Sequence, residues 1–379
     1  MTPAELQNRY VQRLPQIIDE IREIVDIESP SFDEAASSRV ADWLEEKANG
    51  ISPEFTVDRH AAEGVGEHVI IRAFAGGGKA NLVLGHTDTV HPAGTHEKNP
   101  TRIEDGKFYG CGIFDMKANI VLMFEALRYF VESGRRPMRP VNILLAADEE
   151  VGSKTGRPLV ESEAAKAENC FVFEPSAAGK VKTGRKGTGT FTVSAHGAPS
   201  HAGLDPEKGA NAVTELARQL EKIHAVARKD AGTTVNVTTF HGGAVTNVIP
   251  DLAMCEIDVR FSRIAEGERV MEELKRLTPI DDRVRLEFVG DINRPPLERT
   301  EAVAALFEKA KSIAAEFDYA LEETQVGGAS DGNFVAAMGV PVLDGLGIAG
   351  DGAHTLHEHI LVDDIADRAM LVTMLLSRI

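Results

Sequence analysis

The chain has 379 residues, 43% of them hydrophobic and 26% charged, the balance of a globular protein with room for two domains or one domain carrying an insertion. Its 41 Lys and Arg stand against 59 Asp and Glu, and a formal net charge of -18 argues against a nucleic acid or an anionic membrane surface as partner. No apolar run reaches the ~18 residues of a membrane span, and the amphipathic, charged stretch from Met1 to Ile24 lacks a signal-peptide core, so a cytoplasmic protein is expected. Cys111, Cys170 and Cys255 lie far apart, form no metal-type pair and read as reduced thiols.

Thr2-Pro3-Ala4-Glu5 is a capping box with Pro at the first helical position. It opens a helix carrying Leu14, Ile17, Ile18, Ile21 and Ile24, which Pro15 should kink or delay. A second helix fits residues 34–48, and an alternating strand fits 68–74. Leu82-Val83-Leu84 then reads as the end of a buried strand, followed by Gly85-His86-Thr87-Asp88. His86 and Asp88, at i and i+2 on an extended segment, point the same way. The Gly-rich stretch Gly110-Cys111-Gly112 leads through Asp115 into a helix expected over 117–132, where the simplest role for Asp115 is N-cap. An apolar strand over 141–147 ends in Asp148-Glu149-Glu150, three carboxylates that repel one another and need a cation or a solvated loop. Another strand, Cys170 to Phe173, ends in Glu174-Pro175.

Three strands therefore deliver metal-type ligands at their carboxyl ends, where open α/β sheets build sites. From 186 to 294 the pattern becomes β-α-β-β-α-β, the split ferredoxin-like unit, with strands expected over 189–195, 233–239, 253–261 and 283–288 and helices over 209–226 and 266–277. The α/β pattern then resumes with a helix over 301–316, the turn Gly327-Gly328-Ala329-Ser330-Asp331 with Ser330 as a helix cap, a strand over 341–346, and His354 and Glu358 before a closing helix over 363–377. The expected domains are thus 1–185 with 295–379, and an insertion over 186–294.

His86, Asp115, Glu150, Glu174 and His354, with Glu149 beside them, make a nitrogen and carboxylate set without thiolate, which suits hydrolytic zinc. Five ligands suit two ions sharing a carboxylate better than one. At these residues the chain resembles the dinuclear zinc peptidase and amidase family that contains glutamate carboxypeptidase, aminoacylase, acetylornithine deacetylase and succinyl-diaminopimelate desuccinylase. The resemblance is carried by Gly85-His86-Thr87-Asp88-Thr89-Val90, Gly112-Ile113-Phe114-Asp115-Met116-Lys117, Ala147-Asp148-Glu149-Glu150-Val151-Gly152-Ser153, Phe173-Glu174-Pro175 and Ala353-His354-Thr355. Ser200-His201-Ala202-Gly203, Asn247-Val248-Ile249-Pro250 and Asp258-Val259-Arg260 also fit. Arg185-Lys186-Gly187 and Asp205-Pro206-Glu207-Lys208-Gly209 look most like the glutamate carboxypeptidase branch. Ala118 and the bulky Phe114 stand where many relatives carry Gly and a small residue, departures that would reshape the pocket wall.

The resemblance implies a catalytic domain with a mixed sheet flanked by helices, and an inserted ferredoxin-like lid and dimerisation domain. It implies two zinc ions per chain, with cobalt or manganese as substitutes. His86, Asp115 and Glu174 would hold one ion, and Asp115, Glu150 and His354 the other. Asp88 would orient His86, Glu149 would be the general base, and His201 would serve the site of a partner in a homodimer. Asn247, Arg260 and Gly327-Gly328 would bind the substrate's C-terminal carboxylate. Arg294 would reach an acidic side chain, or be an ordinary surface residue. The implied reaction is hydrolysis of the amide before a C-terminal amino acid, glutamate being one candidate, of an N-acyl amino acid or peptide. Two other readings stand beside it: an aminoacylase or deacylase acting on another acyl group, and a catalytically dead zinc-binding relative. His91 and His96 read as loop residues, His196 and His241 as residues of the insertion without a chemical role, and His357 and His359 as neighbours of the ligand His354.

Overall fold

The strand Ala80–His86 is buried along its whole length, with parallel strands covering both its edges. In this computed structural model, which describes residues 2–379, it lies inside a six-stranded sheet. The order is Thr56–Ala62, Gly66–Ala73, Val141–Ala146, Ala80–His86, Ala167–Val172 and Val342–Leu343. The last four strands run parallel and the first two join antiparallel, so the sheet is mixed. Helices Pro3–Asp26, Ala118–Glu132 and Val362–Arg378 pack on one another in the core. Ala118–Glu132 is apolar on nearly every side and correspondingly buried. Its one acidic residue inside the core, Glu125, is fully buried between Arg13 and Arg128.

The chain divides into two compact units. One comprises the chain up to Thr183 with Arg299–Gln325 and Ser330–Ile379; the other comprises Gly184–Glu298 with Val326–Ala329. The second unit has its own core around Phe191, Ile257 and Phe261. Its antiparallel sheet has the order Thr234–Gly242, Leu252–Phe261, Gly187–His196, Arg285–Arg294. With helices Ala212–Ala225 and Ile264–Lys275 the chain order is β-α-β-β-α-β, the ferredoxin-like topology. Alternate residues of Leu252–Phe261 are buried, as expected for a sheet covered mainly on one face.

Several elements depart from the sequence-based expectation for identifiable reasons. The first helix runs unbroken through Pro15, because Pro15 and Val11, whose carbonyl loses its partner there, lie on the exposed face while Tyr10, Ile17, Ile21 and Ile24 anchor the other. The last strand of the second unit does not stop at Phe288 but continues to Arg294. Gly290 makes this possible: its φ is +135°, and a Cβ there would stand 2.3 Å from the carbonyl oxygen of Thr190. Asp331 rather than Ser330 occupies the cap of helix Gly332–Ala337, although the Ser330 hydroxyl still accepts from the Gly332 N–H at 3.2 Å. No helix among the described residues is long and apolar enough to cross a membrane.

Candidate metal centre

His86 ends its strand buried, and its ring is held by the backbone that follows. Nδ1 donates to the Asp88 carbonyl at 2.9 Å, which leaves Nε2 directed at Asp115 Oδ1, 3.0 Å away. The orientation expected of Asp88 is therefore delivered mainly by its main chain, its carboxylate lying at 3.5 Å from Nδ1. That carboxylate accepts instead from the N–H groups of Glu149 and Glu150, at 3.1 and 3.2 Å, and from the Ser31 hydroxyl at 2.8 Å. It thus holds the turn that carries two further acidic residues of the cluster. The third carboxylate of that run, Asp148, is used structurally, accepting from the Thr155 N–H and hydroxyl, both at 2.7 Å.

Asp115 is not an N-cap. It sits in the turn Ile113–Lys117, where its own backbone and that of Met116 are non-helical, ahead of a helix that starts only at Ala118. Its two oxygens face different imidazoles: Oδ1 meets His86 and Oδ2 meets His354 Nε2 at 3.4 Å. His354 also lies 3.2 Å from Glu150, and His86 lies 3.6 Å from Glu174. The donor atoms of His86, Asp115 and Glu150 lie within 4.8 Å of one another, as do those of His86, Glu149 and Glu174. Glu149, read as the base, therefore also stands within ligand reach. The five expected ligands and Glu149 are gathered in the first unit.

The electrostatics show what this cluster lacks. Burial opposes a charge on His86, yet hydrogen bonding to Asp115 and Asp88 outweighs it and holds the pKa well above the usual histidine value. Hydrogen bonds to Asp115 and Glu150 push His354 up to about 10. Burial would raise Asp115, but its hydrogen bonds from His354 and His86 hold it well below the carboxylate range. The carboxylate cluster thus favours positive charge on both imidazoles. Neither Asp115 nor Glu150 has a Lys or Arg ion-pair partner among the described residues, and Glu150 Oε1 is buried without a hydrogen bond. A carboxylate reaching one imidazole with each oxygen, in an all nitrogen and oxygen donor set, fits a pair of divalent cations.

Two further residues support the cluster: Asn119, which the sequence pattern did not pick out, and Glu358, which it marked only by its place four residues after His354. Asn119 is fully buried; its amide donates to the carbonyls of Phe114 and Phe173, at 3.2 and 2.9 Å, and accepts from the Ile348 N–H at 2.9 Å. It thereby joins the residues preceding Asp115 and Glu174. Glu358, also fully buried, accepts from the turn that carries Asp115 and meets His91. His91 is thus more than a loop residue. His96 lies 3.5 Å from Asp26, and His359 packs against Tyr109.

The expected substrate-binding residues lie in the second unit. His201 Nδ1 accepts from the N–H groups of Gly203 and Leu204, both at 3.1 Å, so the ring proton of the neutral form sits on Nε2. The neighbouring turn is tied on by the Ala202 N–H, which donates to the Asn247 carbonyl, and the Asn247 side chain is exposed. Arg260 forks onto Asp258 at 2.8–3.0 Å. Arg185 donates to the carbonyls of Gly328 and Ala329, both at 3.2 Å, and so holds the Gly327-Gly328 turn. Arg294 is buried, which excludes an ordinary surface role.

A family model described as peptidase family M20/M25/M40 matches residues 82–378. Carboxypeptidase G2 of Pseudomonas sp. is 31% identical over 352 residues, covering 90% of this chain and 83% of that protein. A succinyl-diaminopimelate desuccinylase of Paracidovorax citrulli is 30% identical over 322 residues, covering 78% and 80%. Aminopeptidase PepT of Bacillus cereus shares the fold, with a TM-score of 0.83 over 96% of this chain and 98% of that one at 24% identity. The chain belongs to peptidase family M20/M25/M40 and is a hydrolase of the metallopeptidase and amidohydrolase kind.

Proposed function

We propose that the protein is a zinc-dependent hydrolase that cleaves the amide bond before a C-terminal amino acid, with glutamate preferred, in an N-acyl amino acid or short peptide. The observation that carries this reading is Asp115 reaching His86 with one oxygen and His354 with the other, with Glu149 alongside. His86, Asp115 and Glu174 would hold one zinc, and Asp115, Glu150 and His354 the second; cobalt or manganese could replace them. Two ions bound there would supply Lewis acidity, lowering the pKa of water and polarising the scissile carbonyl. Glu149 takes the proton of the attacking water on its carboxylate and returns it to the leaving amine nitrogen. His201, with its proton on Nε2, donates to the carbonyl oxygen as charge develops on it. Asn247, the free edge of Arg260 and the Gly327-Gly328 turn take the substrate's terminal carboxylate through charge-assisted hydrogen bonds, and Arg294 takes an acidic side chain.

His201 would act in the site of a second copy of the chain, in a homodimer formed through the second unit. Supporting this, the outermost strand Thr234–Gly242 presents an open edge, with exposed Phe240, Val245, Val248, Leu252 and Met254 close by. The similarity to a desuccinylase supports a second reading, removal of a succinyl or other acyl group from an amino acid. A catalytically dead relative is disfavoured by the presence of Glu149 and of all five ligand residues. The deciding experiment is a release assay with zinc-loaded protein over N-acyl glutamates, other N-acyl amino acids, N-succinyl amino acids and an amidated N-acyl glutamate. Turnover of N-acyl glutamates that the amidated compound does not support is expected. Turnover confined to N-succinyl substrates would select the second reading, and undiminished turnover of the amide would overturn the carboxylate assignments.

A further inference from the structure

We infer that Glu358 is a positioning residue for the metal centre: its carboxylate sets where the bridging Asp115 stands relative to the His354 loop. The inference rests on the metal-site reading above. Glu358 is fully buried, and among the described residues it forms no ion pair with Lys or Arg. A buried carboxylate is costly unless several donors satisfy it, and here the donors are three peptide N–H groups and the His91 ring. Oε1 accepts from Phe114 and Asp115, both at 2.9 Å. Oε2 accepts from Gly112 at 2.9 Å and meets His91 Nε2 at 2.7 Å. The Glu358 carbonyl also accepts from the Gly110 N–H at 3.3 Å.

The turn from Gly110 to Asp115 is therefore wrapped around one side chain, and the left-handed Gly112, with φ of +71°, lets its N–H groups converge. Asp115, whose N–H donates to Glu358, is the residue whose carboxylate faces both imidazoles. Glu358 follows His354 by one turn of chain, and His91 follows the His86–Asp88 segment. One carboxylate thus ties together three segments that carry ligands. Glutamine could not replace it well. Its single carbonyl oxygen can serve Phe114 and Asp115, but its amide would then point donors at the Gly112 N–H. Groups that hold metal ligands in this way typically change metal affinity about 10–100-fold when altered.

The test compares wild type, Glu358→Gln and Glu125→Gln. Glu125 is an equally buried carboxylate whose partners are Arg13 and Arg128, so it reports the loss of a buried ion pair alone. Zinc affinity is measured by competition with a chromophoric chelator, alongside melting of the metal-free proteins and kcat and KM. The expected result is that Glu358→Gln weakens one of the two zinc equivalents about 10–100-fold and lowers kcat more than it raises KM. Glu125→Gln melts at a lower temperature and binds zinc as wild type does. Wild-type zinc affinity in Glu358→Gln overturns the inference, as does an equal loss in Glu125→Gln. Should Glu358→Gln not fold, His91→Gln removes only the lateral partner and must weaken the same zinc equivalent by a smaller factor; unchanged affinity there overturns the inference too. Wild-type protein that takes up no zinc would instead sink the metal-site reading on which this one rests.

Discussion

Neighbouring glutamates in the same turn meet different surroundings, and the proposed function gives them different roles. Glu150 lies against His354, with its other oxygen buried and without a hydrogen bond, whereas Glu149 groups with His86 and Glu174. Glu149→Gln keeps the shape and removes the proton acceptor, so activity should fall by ~10²–10⁴ while zinc content stays at the wild-type level. Glu150→Gln should lose zinc. Elemental analysis beside the release assay checks both, and like behaviour of the two variants would refute the division into base and ligand. His91 carries a second residue-level consequence. Burial alone would lower its pKa, but hydrogen bonding to Cys111 and Glu358 outweighs that and lifts it to about 9. Folding therefore tightens proton binding at His91. The stabilisation is complete below the unfolded value of 6.5, and it is lost as pH rises through about 9. Its full size is on the order of 3 kcal/mol. Denaturant midpoints of chelator-treated protein should fall between pH 6.5 and 9, and His91→Asn should flatten that slope. An equally steep slope in the variant would remove His91 as its source.

At the scale of elements, what was legible in the sequence is what local pattern controls. His86, Glu150 and Glu174 each follow a buried apolar strand, and the sheet brings those strands side by side with their carboxyl ends together. A run of buried residues followed by a ligand type is a one-dimensional signal, so it can be read without a fold. Asp115 could be read from sequence only as a ligand or a cap, since both roles fit the entrance to a helix; the cap is set aside only by its non-helical backbone and by the two imidazoles its oxygens meet. Asn119 left no such signal, and Glu358 was marked only by its spacing from His354, which says nothing of what it holds. Most of their partners are backbone groups, up to 246 residues distant, and no spacing rule reports which peptide N–H will lack a partner. Asp88 shows an intermediate case. Its place beside His86 was legible, but which of its oxygens, main-chain or side-chain, would meet the ring depended on where the turn of Glu149 and Glu150 came to lie. The strand end at Arg294 was obscured by Gly290, a residue that usually stops a strand and here allows two backbones to approach closely.

At the scale of the whole molecule, one expectation concerns how many chains build a site. The sheet of the second unit ends in an open strand with apolar residues beside it, a surface that a two-fold partner would cover. His201 stands in that unit with its ring proton directed to Nε2, and the proposal gives it to the partner's site. Two inactive variants can then repair each other. In a mixed dimer of His201→Ala and Glu149→Gln, the site on the His201→Ala chain keeps its own Glu149 and receives an intact His201. The other site carries both defects. Random pairing of equal amounts makes about half the dimers mixed, each with one good site of two, so about a quarter of wild-type activity should return. Were His201 to act within its own chain, each site of a mixed dimer would carry one defect and no activity would return. The two variants are co-expressed with different tags, mixed dimers are isolated by sequential capture, and the release assay is run on that fraction. Isolated mixed dimers have half their sites intact, so about half of wild-type activity is expected from them; inactivity of that fraction would place His201 in its own chain's site and remove the reason for a shared one.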